Sequence, residues 1–165
     1  MKKMMKPLLI LLALLLCLTA VGCAPKTQPA KDVNIPAKDI TDDLLAMENQ
    51  FGAMMDFGQE TLTEMFGIDY SLLSDYSFND AMMNVHAHIL YVVKVNDEKD
   101  IDTVKSQFQT RLEAMQQNFS TYLPDQYDLA MAGKIENNGK YVILVVAEDS
   151  QAVLDRFNEI INNAE

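Results

Sequence analysis

The chain has no tryptophan, two cysteines, and only 13 basic residues against 24 acidic ones in 165 positions. Each shortage excludes something. Without tryptophan there is no indole on which a sugar ring would stack. The deficit of basic charge repels phosphate backbones, so nucleic acid is not an expected partner. It repels anionic lipid headgroups as well, so a membrane would have to be reached by something other than a basic face. No GxSxG, HExxH or P-loop pattern occurs, and no nucleophile stands beside a base in a recognisable arrangement. Carboxylates are numerous, but number alone pairs none of them. The expectation is a chain that is not an enzyme and needs no cofactor.

Cysteine is scarce in an informative way. Cys17 lies inside an apolar run, Leu8 to Val21, preceded by Lys2, Lys3 and Lys6. A basic start, an apolar centre and small residues at the end make a secretory signal. The run is shorter than the ~20 residues of a spanning helix. It ends at "AVGC", and Gly22-Cys23 resembles the lipobox of bacterial lipoproteins, although leucine is commoner where Ala20 stands. That resemblance implies cleavage after Gly22 and a lipid on Cys23, with residues 1–22 removed. Two acyl chains anchor stably where one does not. The rival is an ordinary secretory signal cut nearby. Without the signal's three lysines, ten basic residues face 24 acidic ones, a net charge of about −14 that also keeps an exported protein soluble.

Residues 23–38 begin with Cys23 and continue "APKTQPAKDVNIPAK", with three prolines and no apolar period. They read as a tether. Residues 39–165 are then a single domain. "KDITDDLLAMENQF" places Ile40, Leu44, Met47 and Phe51 at helical spacing, with Asp39 or Thr41 as cap. "GQETLTEMFGI" suggests a short second helix closed by Gly67. "YSFNDAMM" is a weak strand and "VHAHILYVVKV" a strong one. Val104, Phe108, Leu112, Met115 and Phe119 form the stripe of a long helix that Pro124 stops. "YDLAMAGKIENNGKYVILVVAED" reads as a hairpin with a type I′ turn at Asn138-Gly139. A last helix carries Val153, Phe157, Ile160 and Ile161, capped by Ser150.

The expected fold class is α+β: a four-stranded, mainly antiparallel sheet in β-β-α-β-β-α order, preceded by N-terminal helices. The two later helices are expected on one face. "YVILVVA" is apolar on both faces, so the second face needs a cover, for which the N-terminal helices are the candidates. Left uncovered, that face would be a binding patch.

Tyr122-Leu123-Pro124, Tyr127, the Gly139 turn, "YVILVVAED" and a final helix with Phe157 together resemble a family of small Gram-positive lipoproteins, catalogued as domain of unknown function 4358. "VKVNDEKDIDTVKSQFQTRL" is similar to it too, as are the signal and Cys23. The resemblance implies a lipid-anchored, exported domain and assigns no activity.

Four features are candidates for chemistry. His86 and His88, two apart on one strand face, stand side by side, but zinc needs further ligands that no spacing supplies. "NDEKDID", residues 96–102, holds Asp97, Asp100 and Asp102 but lacks the glycine and closing glutamate of a calcium loop. It reads as a helix start capped by Asp100 or Asp102. Tyr122, Pro124 and Tyr127 could line a groove or simply pack. Met54, Met55, Met82 and Met83 read as core gap-fillers. The leading expectation is a membrane-anchored extracytoplasmic interaction or accessory domain with a protein partner at the cell surface. The alternative is a small-ligand or metal binder at the sheet face near His86 and His88. A hydrolase with unlocated acids is the third.

Overall fold

The computed structural model describes residues 33–58, 63, 64 and 66–164. Gly22, Cys23, the signal and most of the tether lie outside the described residues, as does much of the expected second helix. Five strands form one sheet: β1 (Met54–Asp56), β2 (Leu73–Ala81), β3 (Ile89–Val95), β4 (Lys134–Asn138) and β5 (Tyr141–Val146). Their spatial order is β1-β2-β3-β5-β4, and every neighbouring pair is antiparallel. Among the described residues four helices pack on it: α1 (Ala37–Leu45), α2 (Ile101–Phe119), α3 (Pro124–Met131) and α4 (Ser150–Asn163).

The sheet therefore has one strand more than expected. β1 is three residues long, between Gly52 and Gly58, and pairs with β2 alone through Met54↔Ala81 and Asp56↔Asn79. A strand so short carries too little alternation to be read as one. The weak "YSFNDAMM" signal belongs to the nine-residue β2.

The six residues of β5 are all buried, which follows from their double-faced apolar pattern. Ile89, Tyr91 and Val93 of β3 join Val142, Leu144 and Val146 of β5 on the face covered by α2, whose predicted stripe is buried in full. On the other face Leu90, Val92, Ile143 and Val145 meet Ile40 and Leu44 of α1 with Val153, Leu154 and Phe157 of α4. Both faces are thus covered from within the chain. The two later helices lie on opposite faces, contrary to expectation, and α1 shares its face with α4. The period of a helix reports which residues are apolar, not which face of a sheet they seek.

Polar bonds fix α1 in place. Thr41 Oγ1 and Ser77 Oγ lie 2.8 Å apart in a buried pair, satisfying two hydroxyls that would be costly alone. Asp75 Oδ2 accepts from the Ala37 N–H at 2.6 Å, capping α1 from a distant strand. The local caps expected at Asp39 and Thr41 are not used: the helix begins at Ala37, behind Pro36. Asp149, rather than Ser150, caps α4, accepting from the N–H groups of Gln151 and Ala152.

The packed chain starts earlier than residue 39. Val33 is buried, Ile35 bonds Tyr141, and Lys94 Nζ donates to Val33 O at 2.8 Å. Pro124 also does more than stop α2: it opens α3 in the first-turn position where proline fits. The β4–β5 hairpin turns on Gly139 and Lys140, because Asn138 pairs with Tyr141. Gly139 has φ +55 and Lys140 has no positive φ, which fits a II′ turn and not the I′ turn expected at Asn138-Gly139. Gly67 follows the sequence reading: its φ is +66 and its N–H donates to Thr63 O, the αL closure of a helix end.

Candidate functional site

At the end of the sheet where β2 finishes and β3 begins, a pocket of about 480 Å³ opens. The β2–β3 connection supplies Met82, Met83, Asn84 and His86 to it. The C-terminal half of α2 supplies Arg111, Met115, Asn118 and Phe119, followed by Tyr122. Phe57 and Phe66 close another side. This volume and this mixture of apolar walls with a few polar groups are those of small-ligand sites.

Two lining residues, Arg111 and Asp80, form a polar triad with Tyr91. Arg111 Nη2 donates to Asp80 Oδ2 at 3.1 Å, and Arg111 Nε donates to Tyr91 Oη at 3.3 Å. Tyr91 Oη in turn donates to Asp80 Oδ1 at 2.8 Å. The side chains of Arg111 and Asp80 are only 10% and 12% exposed. The guanidinium carbon lies 3.9 Å from the Phe66 ring centroid, a cation–π stack. Burial pulls the Arg111 pKa down, but Tyr91 and Asp80 outweigh it and the net direction is up, so the group stays a cation. Burial, and then the Asp80 charge, push the Tyr91 hydroxyl far up and keep it neutral. The triad therefore carries no net charge.

The histidines line the same pocket, though not as expected. β3 starts at Ile89, so His86 and His88 belong to the connection before it and not to a strand face. Their ring centroids are 6.2 Å apart. His88 is 5% exposed, edge-on to Phe51 at 6.2 Å, and among the described residues neither ring nitrogen has a hydrogen-bond partner. Its Nε2 stands 3.4 Å from Glu148 Oε1, an ion-pair contact without the alignment of a hydrogen bond. Burial holds the imidazole pKa below its ordinary value, against the opposing pull of Glu148.

The pocket thus brings together His86, His88 and Tyr122 but not Tyr127. Tyr127 lies on α3 and packs against the core under α2. Met82 and Met83 are more than half exposed at the rim, and Met55 is exposed on β1, so these three do not fill the core. Met54 is the exception, packed on the α1–α4 side. In the acidic stretch Asp97 does the capping, accepting from the Lys99 N–H, while Asp100 and Asp102 make no such bond. Among the described residues no three His, Cys, Asp or Glu side chains converge as a metal site.

Arg111 is the residue that sequence reading missed. A signal was present: Phe108, Arg111, Met115 and Asn118 follow steps of three and four along one face. A charge inside an apolar stripe marks a position where the helix meets something polar.

The model of the family described as Domain of unknown function (DUF4358) matches residues 47–147. The chain belongs to that family. The matched stretch holds every residue of the pocket and stops short of α4. No curated protein and no solved structure matches the chain.

Proposed function

We propose that this chain is an exported, lipid-anchored binding domain on the extracytoplasmic face of a cell membrane. Cys23 carries the lipid, and the pocket takes a small ligand without catalysis. The observation that carries the reading is the pocket's place in the fold. It opens beside His88, whereas the N-terminal segment is held at Lys94, the other end of β3. Six residues at ~3.3 Å each put roughly 20 Å between them. Val33 is held at that far end of β3, so an anchor attached ahead of it would leave the mouth free for ligand. Arg111 and Asp80 of the pocket are held to each other and to Tyr91, which suits holding more than turnover.

Two measurements test this. Intact mass of the membrane fraction should show a diacylated chain beginning at Cys23, and Cys23→Ala should be unlipidated and released. Unmodified, soluble wild type would overturn the anchor. Saturation-transfer NMR with full-length protein in micelles should find fragments that compete for one site. Asn118→Trp, which sets a large ring at the mouth from an exposed position, should abolish their signals. Fragments that bind equally well to that variant would overturn the pocket.

A second reading, a protein partner at the cell surface, is favoured by one feature: Met82, Met83, Val85 and Tyr122 are 45–58% exposed around the mouth. A photo-crosslinking residue at Met83 should then give one discrete adduct in intact cells.

A further inference from the structure

We propose that the pocket selects a ligand with one carboxylate on an apolar body, and that the open end of the Arg111 guanidinium holds the carboxylate. This rests on the small-ligand reading above and names its chemistry.

A guanidinium has two edges that can grip a planar pair of oxygens. The side edge of Arg111 is occupied, with Nε on Tyr91 and Nη2 on Asp80. The end edge is not. Both N–H groups of Nη1 and the second N–H of Nη2 have no partner among the described residues. Arg111 lines the pocket, so these donors border the space a ligand would fill. Two parallel N–H donors at one edge match a carboxylate better than any single acceptor.

The surroundings make that edge effective. Phe66 under the guanidinium fixes its plane. Ninety per cent burial of the side chain limits competition from water. Asp80 and Tyr91 hold the cation in place before any ligand arrives, so no rearrangement is needed on binding. Among the described residues Arg111 is also the sole lysine or arginine in the lining. One fork serves one carboxylate, and a second anionic group would find no cation. The rest of the ligand meets Met115, Phe119, Phe57 and Tyr122, which calls for an aliphatic or aromatic body.

The test uses matched probes on full-length protein in micelles: 3-phenylpropionate against 3-phenylpropionamide, and octanoate against octanamide. Each acid should bind about tenfold more tightly than its amide or better, as a charge-assisted pair of hydrogen bonds requires. Asn118→Trp should remove both signals. The contrast is read in the wild type, so it stands even if Arg111→Lys fails to fold. Where Arg111→Lys folds, the acid should lose its advantage over the amide. Equal binding of acid and amide, blocked by Asn118→Trp, would overturn the role of Arg111 and leave the pocket standing. No binding by any probe would overturn both.

Discussion

Tyr141 closes its hydroxyl on both backbone polar groups of Ile35. The Oη donates to Ile35 O at 2.7 Å and accepts from Ile35 N at 2.9 Å. An aromatic side chain on a central strand thereby pins a segment 106 residues earlier in sequence. Tyr141→Phe keeps the ring and removes the bond. It should destabilise the fold by about 1–3 kcal/mol, since two backbone groups lose a partner. Urea unfolding measures the loss. Faster amide exchange at Ile35, with no change in β5, would show that it acts on the N-terminal segment. Unchanged exchange there would refute the clasp.

The Asp80–Arg111 pair predicts strong coupling. Asp80→Asn leaves a buried cation without its counter-charge and should cost about 3–5 kcal/mol. Arg111→Met alone strands the carboxylate and should be comparably harmful. The double variant should regain most of the loss, because replacing both charges removes the uncompensated one. Denaturation midpoints for the four proteins decide it. Simple additivity would mean that the two side chains do not depend on each other.

These two relationships show where sequence reading succeeds and where it stops. The buried stripe from Val104 to Phe119 and the double-faced β5 were legible because periodicity reports burial directly. The Ile35 clasp was not. "VNIPAK" has the composition of a tether, and bonds from Tyr141, Lys94 and Asp75, brought by the fold, make it structure. The pocket was half legible. His86, His88 and Tyr122 drew notice for their chemistry. Arg111 did not, since a lone charge on a helix normally faces water. The run from Val85 to Val95 holds no glycine, proline or other turn residue, so no breaker in it marks Ile89 as the start of the strand.

Gly133 is a packing constraint that composition hides. A Cβ there would lie 2.8 Å from Leu112 Cδ1, 2.9 Å from Val146 Cγ2 and 3.0 Å from the Ala130 backbone oxygen. The two side chains come from α2 and β5, both fully packed, and the carbonyl cannot move alone. Gly133→Ala should therefore destabilise by about 1–3 kcal/mol, the cost of overpacking. Adding Leu112→Ala, which opens space at the nearest contact, should cost less in this background than in wild type. A stable Gly133→Ala protein would mean that α3 can shift away from the sheet.

His88 predicts a pH dependence whose sign follows from burial. Burial holds its folded pKa below the unfolded value of 6.5, His86 adds to that, and Glu148 opposes it. Between the two values the unfolded chain binds more protons than the folded one. Stability then rises with pH across that window. It is fully present above 6.5, declines as the pH falls toward the folded value, and levels off below it. The carboxylates held low by partners, Asp43, Asp69 and Asp97, titrate below 3.8 and leave the window clear. Urea midpoints from about pH 7.5 down to about pH 5.5 should fall for wild type, the range in which histidine titrates. His88→Leu, which keeps an apolar neighbour for Phe51 and cannot protonate, should flatten that fall. An equally steep decline in the variant would assign the proton to another group.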